Sequence, residues 1–181
     1  MLTEENINLF KKVARKLELK KSDFFIRENE LCNLIGIVES GTLYSYFEDA
    51  DGDIIVNELY SKNAVVTSYR SFLTEIPSPA FIKAYSNTII YVVDKELYNE
   101  LVLEHQFLLL FKKIIEELFV NKCFKETSLV KLKAKERYLE LISVRENIEQ
   151  DFPQHLIASY LKIRAETLSR LKSLDLHQGR K

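Results

Sequence analysis

The chain has 181 residues, room for one domain or two small ones, and it is 46% apolar and 29% charged, an ordinary globular balance. A net charge of −1 excludes a protein that is basic all over, so any nucleic-acid contact has to come from a local patch. No apolar run approaches the ~20 residues that span a bilayer. The opening MLTEENINLFKK lacks a secretory apolar stretch, and Cys32 and Cys123 are too few for a disulfide framework or metal knuckle. These features point to a cytoplasmic protein, without a membrane, whose two thiols are reduced and buried.

The first pattern, Leu2–Leu19, predicts an amphipathic helix, with Thr3 or Asn6 as cap and Ile7, Phe10, Val13, Ala14 and Leu17 at helical spacing. From Phe24 to Val93 the pattern shortens to β-branched and aromatic runs: FFIR, LIGIVES, TLYSYFED, IIVNELY, AVVTSY, AFIKAY and TIIYVV. Ser40-Gly41, Asp51-Gly52-Asp53 and Pro77-Ser78-Pro79 punctuate them, and the Asp-Gly predicts a tight hairpin. Many short strands with tight turns predict an antiparallel sandwich, roll or barrel. Asp94–Glu104 then starts a helix, and Gln106–Ser128 predicts a long one. Its stripe of Phe107, Leu110, Phe111, Ile114, Ile115, Leu118 and Phe119 is wider than one contact requires. The stripe could simply pack on the strand region, but the preferred expectation is that one flank, carrying Phe107, Leu110, Phe111, Ile114 and Leu118, faces a second copy of the chain. Leu129–Asn147 is a further helix, with Leu132, Tyr138, Leu139, Leu141 and Ile142 inward.

Pro153–Ser173 carries two short helical patterns with almost nothing between them. Ile157, Leu161, Ile163, Leu168 and Leu171 turn inward across a tight bend, and Ala158 is small where the helices cross. Pro153 suits a first turn, where its missing N–H is not needed. This is the spacing of a helix-turn-helix, whose second helix enters the DNA major groove. Arg164, Ala165, Glu166, Ser169, Arg170 and Lys172 are left facing outward as candidate DNA contacts. Arg164 opposes the macrodipole at the helix start, which a phosphate or base partner explains. The bland alternative is a solvated hairpin with an ordinary Glu166–Arg170 pair. Lys162 stands at the turn position that often carries Gly, where positive φ costs strain. From Pro153 to Lys181, six cations (Lys162, Arg164, Arg170, Lys172, Arg180, Lys181) face two carboxylates (Glu166, Asp175), a net of +4. The rest of the chain carries −5, the asymmetry of a separate nucleic-acid-binding end.

Taken together the chain resembles the Crp/Fnr regulators, relatives of the cyclic-AMP receptor protein, over nearly all its length. The carriers are IVESGTLYSYFEDADGDIIVNEL and FPQHLIASYLKIRAETLSRLK, the second resembling the short Bacteroidetes-type members. The resemblance implies an α+β fold: a β-roll sensor with flanking helices over residues 1–105, a central dimerisation helix over 106–128, and a helix-turn-helix domain over 129–181. It implies a homodimer on a pseudo-palindromic operator, with operator DNA, RNA polymerase and a small-molecule effector as partners, and no enzymatic activity. Family reading positions fall on Glu166 and Arg170, with Ala165 where an Arg often stands.

The effector side departs from the cyclic-nucleotide binders. Thr67 stands where their ribose-binding Glu does, Pro77 or Ser78 where their phosphate-binding Arg does, and Lys122-Cys123 near their adenine-binding pair. Thr67, Ser68, Tyr69 and Arg70 remain as lining candidates for a smaller or less charged ligand, so control by cyclic AMP is not expected. The cysteine cluster of iron–sulfur members is absent, no His lies in the strand half for a haem, and no cofactor is expected. The chain also stops too soon after the second helix for a two-stranded wing. A cupin-type enzyme needs His inside the strands, and none is there. An interaction module that has lost DNA binding is the other alternative.

Overall fold

The structure, a computed structural model, describes residues 2–178, with side chains described as far as Ser173. The expected basic residues Arg180 and Lys181 lie outside the described residues, as do the side chains of Asp175 and His177.

Helix α1 (Glu4–Val13) begins at a capping box: Thr3 Oγ1 accepts the Asn6 N–H at 3.2 Å, and Asn6 Oδ1 accepts the Thr3 N–H in return. The helix stops well short of Leu19. Residues Arg15–Leu19 form strand β1, which pairs antiparallel along β8 (Thr88–Asp94) with Arg15 opposite Val92. Arg15-Lys16-Leu17-Glu18-Leu19 alternates with period two, and Leu17 and Leu19 turn into the roll's core. A continued helix would have set these two leucines about 200° apart around its axis, so only one of them could face the sheets.

The remaining strands are β2 (Phe24–Ile26), β3 (Leu34–Ser40), β4 (Leu43–Glu48), β5 (Ile54–Tyr60), β6 (Val65–Val66) and β7 (Phe81–Ala84). They build two four-stranded antiparallel sheets, ordered β1-β8-β3-β6 and β2-β7-β4-β5. Gly41, at φ +81°, makes the β3–β4 turn, and a Cβ there would stand 2.2 Å from the Asn87 carbonyl oxygen. Asp49 Oδ1 accepts the N–H groups of Asp51 and Asp53 across the β4–β5 turn, where Gly52 takes φ +82°. The run expected to stay extended through Tyr69 bends instead into helix α2 (Tyr69–Thr74), which buries Phe72.

After α3 (Lys95–Leu101) comes α4 (His105–Lys131), about 40 Å long at 1.5 Å per residue. Its two halves have different surroundings. Phe107, Leu110, Phe111 and Ile114 are buried in the chain's own core, against Ile7 and Phe10 of α1 and Ile35, Ile37, Val65 and Val93 of the roll. Phe111 meets the rings of Tyr98 at 4.7 Å and Phe10 at 6.2 Å, both edge-on. These four residues are therefore not free to meet a partner, contrary to the expected dimer face; Leu118 is half-buried beside them. Exposed apolar groups lie on the opposite flank: Leu108, Leu109, Phe119, Val120, Phe124 and Val130. Cys123 is exposed on that flank too, while Cys32 is buried as expected.

The chain ends in α5 (Ala134–Val144), the short α6 (Ile148–Asp151), α7 (Gln154–Tyr160) and α8 (Ala165–Gln178). One apolar cluster joins them to the β2-β7-β4-β5 sheet. Tyr44, Tyr46, Val56 and Leu59 of the roll pack with Tyr138, Leu141, Phe152, Leu156, Ile157, Leu161 and Leu168 of the helices. Among the described residues, no helix is long and apolar enough to cross a membrane.

Candidate nucleic-acid interface

Helices α7 and α8 pack across a four-residue turn, Leu161–Arg164. Ile157, Ala158, Leu161 and Leu168 are buried at the crossing, with Ile163 and Leu171 packed against them, which are the positions the spacing marked as inward. Ala158 also supplies the carbonyl that accepts the Ile163 N–H at 3.0 Å, closing the turn. Lys162 sits there at φ +55°, the left-handed conformation anticipated at this position. That costs a side chain roughly 1–2 kcal/mol. The same side chain provides an offsetting bond: Lys162 Nζ donates to the Val56 carbonyl of β5 at 2.7 Å, and burial pushes its ammonium pKa down. A glycine would satisfy the turn but not reach the strand.

Sequence-predicted contacts separate into two groups. Ala165, Glu166, Ser169 and Arg170 line one shallow, open hollow, together with Gln154 and His155 from the first turn of α7. Arg164 stands exposed at the head of α8, on an adjoining hollow shared with His155, Ser159, Lys162 and Ile55. No ion pair joins Glu166 to Arg170 among the described residues, so both heads remain available to a ligand. Lys172 is different. It is half-buried and ion-paired with Glu149, whose carboxylate also accepts the Tyr138 hydroxyl at 3.0 Å. Lys172 therefore braces α8 on α6 rather than extending the open face.

Gln154 and His155 were missed in the sequence. Gln154 Nε2 donates to the Ala165 carbonyl at 3.2 Å, which brings the starts of the two helices onto one surface. Two polar residues directly after Pro153 were the available signal. Arg137 adds an internal brace, donating to the carbonyls of Leu132 at 2.8 Å and Leu161 at 3.2 Å.

Of the four effector candidates, Thr67 and Ser68 are engaged within the roll. Thr67 Oγ1 donates to the Leu34 carbonyl at 2.9 Å and lies 3.7 Å from Cys32 Sγ. The fully buried Ser78 hydroxyl meets Ser68 Oγ and the Ala80 carbonyl, each at 2.8 Å. Tyr69 stacks on Phe72, and Arg70 is exposed on α2. The four are neighbours in sequence, yet only Thr67 and Ser68 join one buried network. Ser78, one of the two positions matching the phosphate-binding Arg, is enclosed, and among the described residues its hydroxyl has no cation as a hydrogen-bond partner.

No family profile matches the chain, and no curated relative does. Solved structures do match. FixK2 from Bradyrhizobium japonicum superposes with a TM-score of 0.76 at 18% identity, over 92% of this chain and 86% of that one. A CooA variant from Carboxydothermus hydrogenoformans gives 0.66 at 21% identity, over 95% and 80%. A chain from Eubacterium rectale assigned to the crp/fnr family of transcriptional regulators gives 0.67 at 15% identity, over 98% and 85%. At such identities the likeness establishes the fold.

Proposed function

From this Crp/Fnr-like fold, we propose that the protein is a DNA-binding transcriptional regulator working as a homodimer on a two-fold operator. The observation that carries the reading is the open face of α8, where Ala165, Glu166, Ser169 and Arg170 stand together over a buried Leu168. A major-groove helix needs this division, with short and hydrogen-bonding side chains at its exposed start and an apolar back holding it to the scaffold. Arg164 is placed as a phosphate contact, Arg170 and Glu166 as base readers, and Gln154 and His155 as added contacts from α7. The solved chains of similar fold include transcriptional regulators, which supports a regulator over an enzyme.

The second copy is assigned to the exposed flank of α4. Leu109, Glu116, Phe119, Cys123 and Val130 follow alternating steps of three and four once Lys112 and Glu126 are included, the spacing of a short coiled-coil seam. Lys112 and Glu116 pair along the helix at 3.6 Å, which partly neutralises the polar positions. In this arrangement the two α8 helices reach successive major grooves on one side of the duplex. Cyclic nucleotides are not the expected signal, because a cyclic phosphate stripped of water inside the roll requires a fixed cation. The test is selection from a random duplex pool by the purified full chain. Enrichment of a two-fold sequence with half-site centres about 34 Å apart is expected; no enrichment over the input pool refutes the proposal.

A further inference from the structure

Resting on that reading of α8, we propose that the β4–β5 hairpin is an autoinhibitory guard: docked beside the DNA-reading helices, its acidic tip holds the duplex away until the hairpin is displaced. Strand β5 is the free edge of its sheet, and a free edge leaves a row of N–H and C=O groups to be satisfied. Here the DNA-binding end satisfies them. The Val56 N–H donates to Ser159 Oγ at 2.9 Å, Ser159 Oγ donates to the Ile54 carbonyl at 3.2 Å, and Lys162 Nζ reaches the Val56 carbonyl. Further along, Lys125 Nζ bonds the Asn57 carbonyl. Arg145 holds the Leu59 carbonyl and the Glu58 carboxylate, each at 2.8 Å. The hairpin is thus fastened from Leu59 to Ile54, running from the end of α5 towards the start of α8.

Every charged residue beyond the last fastening is acidic. Glu48, Asp49, Asp51 and Asp53 are exposed, and none forms an ion pair among the described residues. No Lys or Arg occurs between Arg27 and Lys62. Asp49 bonds only neutral backbone N–H groups, so it orders the turn without losing charge. Ile55, two residues from Asp53, lines the same hollow as His155, Arg164 and Ala165, which sets the base of the hairpin tip on the side of α8 that carries Arg164. At physiological salt, charges interact over a Debye length of about 8 Å. In the proposed guard, a phosphodiester arriving at Arg164 meets the tip's carboxylates within this range as well as the cation. Packing alone does not call for these residues, since Ile54 and Ile55 are themselves partly exposed and no tip residue joins a core cluster.

The test uses the full chain and a Glu48→Gln, Asp51→Asn, Asp53→Asn variant, with Asp49 kept because it holds the turn. Binding to a labelled random-sequence duplex is titrated at low and high salt. The variant is expected to bind about tenfold more tightly at low salt, with the two proteins converging at high salt as charges are screened. Arg164→Ala in the variant background should remove most of the gain, which places the gain at α8. Equal low-salt affinity of variant and wild type, with both binding, overturns the guard and leaves DNA binding intact. A gain that survives Arg164→Ala also overturns it. Failure of both proteins to bind at low salt overturns the reading of α8, and the guard with it. Circular dichroism of the exposed-residue variant confirms its fold, and an Asp51→Glu variant, with charge retained, should match wild type.

Discussion

Two residues five apart on α4, Ile114 and Phe119, should answer to mutation in opposite ways. Ile114 is 0% exposed in a single chain, wedged between α1 and the roll, whereas Phe119 is 67% exposed. Ile114→Ala removes a fully enclosed side chain and should destabilise the folded chain by about 2–5 kcal/mol. Phe119→Glu takes little from the single chain, because at most a third of the ring is covered there; the loss is roughly 0.5–1 kcal/mol. In the dimer the remaining two thirds is buried, about 1–2 kcal/mol per copy, and both copies lose it. The dimer should therefore weaken by about 2–4 kcal/mol, on the order of 30- to 1,000-fold, before the repulsion of two facing carboxylates is counted. Light scattering across the micromolar range and urea unfolding separate the effects. Ile114→Ala should lower the urea midpoint and keep the dimer mass, while Phe119→Glu should keep the midpoint of the dissociated chain and lose mass. A monomeric Ile114→Ala with an unchanged midpoint, beside a dimeric Phe119→Glu, would refute the assignment of faces.

On DNA, Arg170→Ala should relax sequence preference at one position per half-site, by roughly 1–3 kcal/mol if the side chain forks onto guanine. Arg164→Ala should weaken all sequences alike and flatten the salt dependence; identical profiles for both variants in a binding-site library would contradict these roles. Titration calorimetry with cyclic AMP and cyclic GMP should show no heat of binding, and a micromolar dissociation constant, lost in Arg70→Ala, would show that Arg70 swings into the roll after all. Burial raises the hydroxyl pKa of Tyr60 and Tyr160 above the ordinary tyrosine value near 10. Their contribution to stability is then fully present below pH ~10 and lost as pH rises beyond it, because the unfolded chain releases those protons first. The urea midpoint should fall through alkaline pH, and less steeply in Tyr160→Phe; a midpoint flat to pH ~12 would refute this.

Much of the architecture was legible in local patterns. Alternating β-branched runs marked seven of the eight strands, Asp51-Gly52 marked its hairpin, and the spacing from Ile157 to Leu171 marked both helices and the left-handed Lys162 between them. These features are short-range: periodicity, turn chemistry and volume act between residues a few positions apart. β1 was misread because Leu17 and Leu19 suit either a helix continuing from α1 or a strand, and the waiting edge of β8 decides.

The stripe on α4 shows the same limit on a larger scale. Its apolar width was readable, but which flank the roll covers depends on Phe10, Ile35 and Val93, up to a hundred residues away in the chain. Once they take Phe107, Leu110, Phe111 and Ile114, Phe119 and its neighbours are what remains. Only the tertiary structure also explains why the turn carries Lys162 in place of glycine. The residue answers to Val56, the unpaired edge of a sheet more than a hundred positions earlier, and no local pattern reports which edge is left free.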